Sequence, residues 1–414
     1  MAGLQPVRGT RDIQPEEARG MRRVEETARA VAGRFGYEEI ATPIFEFSDV
    51  FKRTLGDTSD IVTKEMYTFA DKGGDEITLR PEGTAGVARM LISGGLAQNL
   101  PLKYFYRGPM FRYERPQKGR YRQFHQIGVE LLGVGEPLGD VEIIALGAAV
   151  LNGLGLSDST TLELNTLGNG ASRAAYRERL VDYLQDHAAD LSEDSQSRLT
   201  RNPLRILDSK DKGDRAIVAN APEFSDSLDE ESQEFFGEVR AGLAALDISY
   251  SLNSRLVRGL DYYCHTAFEF TTDALGAQGT VLAGGRYDGL VSQMGGTDTA
   301  GVGWAAGIER IAMLAGGGAE GPRPIAVIPV TRDMEMEALK LANRLRADGL
   351  TIELAYKGNL SRRMKRANRL NAKAAVILGP DEAAKGAATF RDLDSGGQEE
   401  VPLDALSQHL APYR

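Results

Sequence analysis

The segment at residues 107–126 constrains the fold of this chain more than any other. Six of its twenty residues are Arg or Lys, although the whole chain of 414 residues carries a formal charge of −10. Aromatic residues alternate with these cations, and Pro116 and Gly119 stand between them. The pattern predicts two strands joined by a turn. Arginines fixed on strands and facing one way form a site for phosphates, which indicates a nucleotide, a nucleic acid or both.

Composition is that of an ordinary globular protein, with 42% hydrophobic and 26% charged residues. Apolar runs such as residues 325–330 are too short to cross a bilayer, and the N-terminus lacks the apolar stretch of a secretory signal. The single cysteine, Cys264, excludes an internal disulfide and a multi-cysteine zinc site, and the four histidines lack ligand spacing. We therefore expect a cytoplasmic enzyme with no membrane segment and no protein-bound structural metal.

The predicted secondary structure changes in character twice along the chain. Helical periodicity dominates residues 167–246, which predicts a helical insertion within a region that is otherwise rich in strands. A glycine-rich linker at residues 315–323 then ends that region. Beyond it, strands alternate with helices, which predicts a small α/β domain with a parallel sheet. The predicted domains are residues 1–322, containing the insertion, and residues 323–414.

Two common nucleotide-binding motifs are missing from the sequence. Neither GxxxxGK[ST] nor a GxGxxG motif that opens a βαβ unit occurs, and GVGWAAG at residues 301–307 has the wrong spacing. If ATP binds, we expect it to bind on a mostly antiparallel sheet.

Two segments offer polar groups to a small ligand. The turn in TLRPEGT, residues 78–84, can present Glu82 to an ammonium group, although a solvated glutamate at an ordinary turn is the simpler interpretation. On the strand after the hairpin turn, Gln126, Gly128 and Glu130 share one face, which is either a pocket floor or a solvent-facing side.

Three further segments carry arginines with two possible interpretations each. Arg258 in LVRGLDYY, residues 256–263, either binds a carboxylate or phosphate or forms a surface ion pair with Asp261. Arg310 follows a glycine-rich corner and is either a ligand contact or an exposed side chain. The cations of the helix at residues 359–371 either form a solvated face or bind a polyanion. They are Arg362, Arg363, Lys365, Arg366 and Arg369.

Together and in this order, the motifs resemble the histidyl-tRNA synthetases of bacterial type, a class II aminoacyl-tRNA synthetase family. The resemblance covers essentially the full chain. The matching segments are residues 19–35 with the strand through Pro43 (motif 1), 110–126 (motif 2), 301–314 (motif 3), and 256–263 and 283–290 (two histidyl signature peptides).

The resemblance implies an α+β catalytic domain with a mostly antiparallel sheet flanked by helices, a helical insertion and a C-terminal α/β anticodon-binding domain. It implies a homodimer that activates L-histidine with ATP to histidyl-adenylate and transfers it to the 3′ end of tRNA(His). Mg²⁺ would be bound through the ATP phosphates.

The same resemblance implies roles for individual residues. Arg112 and Arg258 would hold the α-phosphate, with Arg258 also near the substrate carboxylate, while Phe124 and Arg310 would enclose the adenine. The expected histidine-binding residues are Glu82, Gly83, Thr84, Gln126, Glu130, Arg258, Tyr262 and Tyr263. The expected tRNA-binding residues are Arg115, Gln117 and Arg122 at the acceptor end, together with Arg362, Arg363 and Arg366.

Two other functions are compatible with parts of the sequence. The regulatory paralogue of ATP phosphoribosyltransferase shares the catalytic fold but typically lacks the C-terminal domain and degrades the histidyl signatures. A non-enzymatic RNA-binding module would not need the combination of Glu82, Gln126, Glu130 and Tyr263.

Overall fold

The computed structural model describes residues 4–55, 61–116, 119–207, 209–257, 262–276, 279–318 and 320–413. The chain divides into two compact units, residues 1–319 and 320–414. Arg258 and Gln117, two of the predicted site residues, lie outside the described residues.

Helices occur throughout the first unit, from Pro15 to Leu314. They are α1 (Pro15–Arg34), α2 (Ser48–Leu55), α3 (Thr84–Ser93), α4 (Pro137–Gly153), α5 (Gly170–Asp186), α6 (Glu193–Arg201), α7 (Lys212–Val218), α8 (Glu230–Ala245), α9 (Leu290–Gln293) and α10 (Ile308–Leu314). The strands are β1 (Glu38–Ile40), β2 (Phe45–Phe47), β3 (Tyr67–Ala70), β4 (Glu76–Leu79), β5 (Leu102–Phe111), β6 (Gln123–Leu132), β7 (Thr161–Thr166), β8 (Ser251–Leu252), β9 (Cys264–Thr271), β10 (Thr280–Arg286) and β11 (Gly301–Gly307).

Among the described residues, the first unit is built on an eight-stranded sheet in the order β1-β5-β6-β11-β10-β9-β7-β8. The pairs β1·β5 and β7·β8 are parallel and the others are antiparallel. This confirms the predicted fold class. The predicted hairpin is also confirmed, because β5 pairs with β6 from Leu102↔Leu132 to Phe111↔Gln123.

The two faces of β6 have different environments, as its alternating side chains require. Ile127, Val129 and Leu131 are buried in the core that the sheet forms with α1 and α4. Trp304 on β11 joins this core and donates its Nε1 hydrogen to the carbonyl of Ile143 at 3.1 Å. The opposite face of β6, with Gln126, Gly128 and Glu130, is therefore left for the candidate site.

Helices α5 to α8 form the region predicted as a helical insertion. Several begin with a side chain that accepts from the backbone of the first turn, such as Asn169 from Ser172 and Asp229 from Ser232. Strand β7 directly precedes these helices and is absent from the sequence prediction.

The second unit has a five-stranded sheet in the order β13-β12-β14-β15-β16. Its strands are β12 (Ile325–Pro329), β13 (Ile352–Leu354), β14 (Ala374–Leu378), β15 (Ala387–Asp392) and β16 (Gln398–Pro402). Its helices are α11 (Glu335–Ala347), α12 (Leu360–Arg369), α13 (Pro380–Ala384) and α14 (Leu406–His409). The predicted parallel arrangement holds for β12, β13 and β14, whereas the antiparallel strands β15 and β16 are additions that the sequence prediction lacks. Within the described ranges, no helix is long and apolar enough to cross a membrane.

Candidate active site

A cavity of about 310 Å³ opens on the face of the main sheet that carries Gln126. Its walls come from the turn before α3, the β5–β6 hairpin, the tyrosines before β9, and strands β10 and β11. The predicted site residues that line it are Glu82, Thr84, Arg112, Phe124, Gln126, Tyr262, Tyr263 and Arg310. Segments that are distant in sequence therefore meet at one cavity.

Glu82 forms the anionic end of this cavity. Its Oε2 accepts from the backbone nitrogen of Thr84 at 2.7 Å, and its Oε1 from that of Ala85 at 2.9 Å, at the start of α3. Burial nevertheless raises the pKa of the carboxyl group, and the nearby Arg112 only partly opposes this shift. A ligand ammonium bound here would therefore stabilise the ionised form of Glu82.

Gln126 presents an unsatisfied acceptor to the same cavity. Its Oε1 is buried and has no hydrogen-bond partner within the described part of the chain. A buried acceptor without a donor is destabilising by about 1–3 kcal/mol, so a ligand that donates a hydrogen bond would be favoured. Gly83 does not line the cavity. Glycine is needed at this position because a Cβ there would overlap the ring of Tyr106.

Glu130 does not line the cavity; it is 1% exposed and lies behind the lining residues Thr84 and Tyr287. Its Oε1 accepts from Thr84 Oγ1 at 2.7 Å and from Tyr106 OH at 3.2 Å, and its Oε2 accepts from the Tyr287 hydroxyl. Burial is the largest cause that raises the pKa of Glu130 to about 8, and the nearby Glu82 raises it further. A cationic ring bound beside Glu130 would stabilise its ionised form.

Tyr106 and Tyr287 are functional candidates that the sequence prediction lacks. Tyr287 belongs to the signature peptide at residues 283–290, but its position within that peptide gives no sign of a bond to Glu130. A Cβ at Gly128 would overlap the ring of Tyr106, and one at Gly303 would overlap the Glu130 carboxylate. Glycine at these strand positions is the signal that side chains cross the sheet there.

Tyr262 and Tyr263 both line the cavity. Their ring centroids are 4.7 Å apart, and Tyr262 also meets the edge of Tyr287 at 5.8 Å. Arg173 on α5 donates to the carbonyl of Tyr263 at 2.9 Å, so the helical region holds this wall in position.

The other end of the cavity is cationic. Arg112 donates its Nε hydrogen to the carbonyl of Pro81 at 2.9 Å, and its guanidinium lies 5.3 Å from the centroid of the Phe124 ring. Arg310 donates to the carbonyl of Thr280 at 2.7 Å. Burial lowers the pKa of Arg310, and the neighbouring Arg120 and Arg112 lower it further. Because these cations repel one another, an anionic group between them would be stabilised.

Glu309 is a cavity residue that the sequence prediction does not name. It is 6% exposed, and its carboxylate accepts from the backbone nitrogen of His125 at 3.0 Å and contacts His125 Nδ1 at 2.8 Å. This contact joins α10 to β6 between Arg310 and Phe124, the two residues predicted to enclose an adenine.

Known proteins share this architecture over the whole chain. A family model described as histidyl-tRNA synthetase matches residues 9–311, and one described as anticodon binding domain matches residues 324–411. The histidine–tRNA ligase of Rhodospirillum rubrum is 64% identical over 100% of both chains, and that of Gluconacetobacter diazotrophicus is 56% identical over 99% of both. The crystal structure of apo Staphylococcus aureus histidyl-tRNA synthetase superposes with a TM-score of 0.82 at 36% identity, covering 98% of this chain and 99% of that chain.

The chain belongs to the histidyl-tRNA synthetase family. The glutamates, tyrosines and arginines described above thus come together in one cavity of a class II synthetase fold. Signature peptide 283–290 also has a structural part, because Arg286 is fully buried against Asp140 and lies 5.1 Å from the centroid of the Phe235 ring.

The motif 2 turn, residues 112–122 between β5 and β6, carries the residues predicted to meet tRNA. Arg115 is exposed there. Arg122 is half-buried, with its guanidinium 3.7 Å from the centroid of the Tyr113 ring and its Nε donating to the carbonyl of Glu114 at 3.2 Å. The structure thus leaves Arg115 open to solvent, whereas Arg122 is held against the hairpin.

The basic helix α12 requires a correction. Arg362 and Arg366 are exposed, and Arg366 pairs with Glu353 at 2.7 Å. Arg363 is only 5% exposed and donates to the Pro329 carbonyl and, at 2.8 Å, to Glu335 Oε1. Arg363 faces the core of its own unit rather than solvent, so the structure does not support its prediction as a tRNA contact.

Proposed function

We propose that this protein is a histidine–tRNA ligase, an enzyme that activates L-histidine with ATP and transfers it to the 3′ end of tRNA(His). The observation that carries the proposal is the polarity of the cavity. Buried carboxylates and an unsatisfied amide oxygen form one end, and guanidinium groups form the other. A zwitterionic amino acid with a basic ring, placed next to a triphosphate, matches this division of charge.

At the anionic end, we propose that Glu82, Thr84 and Gln126 bind the α-ammonium group. The buried Oε1 of Gln126 would gain a donor, and the carboxylate of Glu82 would gain a cation. Glu130 and Tyr263 would bind the two imidazole nitrogens, with Tyr262 as a wall. An amino acid without these nitrogens would leave Glu130 and Tyr263 without their bonds to the ligand, which disfavours it strongly.

At the cationic end, we propose that Arg112 and Arg258 bind the α-phosphate while the histidine carboxylate attacks it in line and displaces pyrophosphate, which gives histidyl-adenylate. The guanidinium groups would oppose the charge that develops in the transition state, so the protein acts mainly by positioning and electrostatic stabilisation. Phe124 would stack on one face of the adenine. Arg310 would cover the other face and contact the triphosphate tail.

A magnesium ion fits this end only if the nucleotide supplies most of its ligands. No group of three or more His, Cys, Asp or Glu side chains within the described ranges could hold a metal. The nearest candidate carboxylates are Glu309, which is bonded to His125, and Glu114, which pairs with Arg120. Mg²⁺ bound through the β- and γ-phosphates would offset their charge there.

We propose that tRNA(His) meets the motif 2 turn with its acceptor end, through Arg115, Gln117 and Arg122. The family's additional 5′ guanosine would be bound there, and the helical insertion would contact the acceptor arm. Arg362 and Arg366 on the anticodon-binding domain would contact the tRNA backbone. Their exposure supports this role, whereas the burial of Arg363 argues against it. Because its substrate is tRNA, we expect the enzyme in the cytoplasm.

We also propose a homodimer, in keeping with the motif 1 resemblance. A small sheet of order β2-β4-β3 supports it by leaving aromatic side chains exposed. Phe45, Phe47 and Phe69 are 56%, 62% and 48% exposed, and Phe47 and Phe69 flank Ile77 in register. An apolar face of this kind is typical of a protein–protein interface.

The alternative, a regulatory paralogue of ATP phosphoribosyltransferase, is disfavoured. The chain keeps the anticodon-binding domain at residues 324–411, and its cavity retains Glu82, Gln126 and Tyr263.

ATP–pyrophosphate exchange with each amino acid in turn tests the proposal. We expect exchange with histidine alone and without tRNA, followed by charging of a tRNA(His) transcript. A protein that binds histidine but catalyses no exchange would contradict the synthetase function.

A further inference from the structure

The N-terminal segment at residues 7–12 lies against the motif 2 turn. The backbone nitrogen of Arg122 donates to the carbonyl of Gly9 at 2.8 Å, and the backbone nitrogen of Arg112 donates to the carbonyl of Arg122 at 2.9 Å. The bond between Arg112 and Arg122 extends the hairpin beyond the last pair of β5 and β6, and the segment adds one backbone bond to Arg122. Gly9 is connected to the residue proposed to bind the α-phosphate through two consecutive backbone hydrogen bonds.

Gly9 makes this approach possible because it has no side chain. Its φ of +88° is a conformation that L side chains rarely adopt. A Cβ at this position would also lie 2.7 Å from Arg122 Cγ and 3.0 Å from Pro116 Cγ. Any larger residue would therefore push the segment away from the turn or distort the turn itself.

Arg11 provides a second contact to the same turn. Its guanidinium lies 4.3 Å from the centroid of the Tyr121 ring and forms a bidentate ion pair with Glu17 on α1. Tyr121 lines the cavity, whereas Glu17 belongs to a helix of the sheet core. The segment therefore connects a fixed helix to a wall of the cavity.

The other side of the turn is bonded to Arg310, whose Nε donates to the carbonyl of Gly119 at 3.4 Å. The turn lies between two supports, the N-terminal segment and α10. Its conformation determines where the backbone of Arg112 and the ring of Tyr121 lie.

We propose that residues 7–12 form a strap, with Gly9 and Arg11 as positioning residues, that holds the motif 2 turn in the conformation that binds ATP. This inference rests on the proposed synthetase function, which it extends to residues outside the cavity. None of residues 7–12 lines the cavity. It acts through Arg122, Tyr121 and the backbone of Arg112.

The first test compares Gly9→Ala with Gly36→Ala. Gly36 has a similar φ of +81°, but a Cβ there would meet nothing within 4 Å. The two variants thus share the conformational strain and differ in the contact with the turn. Amide hydrogen exchange of peptides from residues 109–125 reports the turn directly. We expect Gly9→Ala to lose protection there and Gly36→Ala to keep it.

Kinetics of ATP–pyrophosphate exchange then test whether the turn matters for ATP. We expect Gly9→Ala to raise the KM for ATP on the order of tenfold, with the KM for histidine changed less than about twofold. Gly36→Ala should leave both KM values near those of the unaltered protein.

The second test uses Arg11→Gln, which keeps the backbone of the strap. We expect a smaller rise in the KM for ATP, partial rescue by Arg11→Lys, and no effect of Arg8→Gln, an exposed position in the same strap. If Gly9→Ala fails to fold, the Arg11 series decides the question.

Two results would contradict the proposal that the strap holds the motif 2 turn. One is unchanged protection of the turn in Gly9→Ala, and the other is lost protection with an unchanged KM for ATP. If the unaltered protein shows no exchange, the proposed function fails, and calorimetric ATP affinity of the same variants decides the role of the strap separately.

Discussion

Two arginine-rich segments of this chain look alike in sequence and differ in structure. In the motif 2 hairpin, Arg112 is tied to a backbone carbonyl and an aromatic ring and lines a cavity. In helix α12, Arg363 is buried against Glu335, whereas Arg362 on the same helix is exposed. A run of cations therefore contains side chains with different roles, and the secondary structure assigns them.

The helical spacing of α12 indicates which of its arginines faces the core, and its charge alone does not. Arg363 and Ala367 are spaced by four residues, and both are buried. A helix that places an arginine on its apolar stripe requires partners for that charge, which Pro329 and Glu335 supply. Charge alone thus predicts a polyanion contact, whereas helical spacing predicts which cations can reach it.

The largest expected effect concerns the hairpin. Arg112→Ala should lower kcat for histidine-dependent exchange by about 10²–10³-fold, because a fixed cation at the reacting phosphate is lost. The matched control is Arg107→Gln on the same hairpin. Arg107 pairs with Glu25 and Glu39 rather than lining the cavity, so exchange should persist. Equal loss in both variants would mean that the hairpin cations act only through folding.

The next effect separates the buried arginine of α12 from its neighbours. Arg363→Met should lower the free energy of unfolding of the second unit by about 1–3 kcal/mol, because the Pro329 carbonyl loses a buried donor. Exchange without tRNA should be unaffected. Denaturant unfolding of the full chain checks the prediction. A free energy of unfolding equal to that of the unaltered protein would mean that the buried contacts of Arg363 do not stabilise the second unit.

The buried Glu130 on β6 extends the comparison to the effect of pH. The pKa of Glu130 is raised to about 8 from the ordinary value of 4.5, so the native state retains a proton that the unfolded chain has lost. Its contribution to stability therefore falls as pH rises from 4.5 to 8. Glu130→Gln should be more stable than the unaltered protein near pH 8, by roughly 4 kcal/mol, and nearly equal at pH 4.5.

Denaturant titration of both proteins across this pH range measures the difference in their free energies of unfolding and checks the sign of its change with pH. A difference that does not depend on pH would mean that Glu130 titrates normally. The same variant should lose the preference for histidine in exchange.

The smallest effect concerns the exposed cations of α12. Arg362→Gln should weaken tRNA binding and reduce the slope of log affinity against log salt by about 1. Lys340→Gln on α11, an exposed position that pairs with Glu337, is the control. An unchanged slope for Arg362→Gln would identify its side chain as part of a solvated face.

Much of the site follows from strand alternation in the sequence. The period of two places Gln126 and Glu130 on one face of β6, and the structure confirms that this face differs from the core face at Ile127 and Val129. Hairpin pairing was predictable for the same reason, because cations and aromatic residues alternate on both strands.

Other parts required the three-dimensional packing. The bonds of Tyr106 and Tyr287 to Glu130 join residues that are distant in sequence, and the sequence does not identify these partners. Strand β10 continues through Arg286, although a pair of glycines is more typical of a turn. Gly284 and Gly285 lie in that strand, where a Cβ would overlap neighbouring strands. Their glycines indicate close packing rather than a turn.

A crystal structure with histidinol and ATP tests the central claim most directly, namely that one hairpin brings the nucleotide and the amino acid to one cavity. We expect the adenine stacked on Phe124 and the α-phosphate within hydrogen-bond distance of Arg112. The histidinol ammonium should be bound by Gln126 and Glu82. A nucleotide bound away from Arg112, or an ammonium that leaves Gln126 Oε1 unpaired, would contradict it.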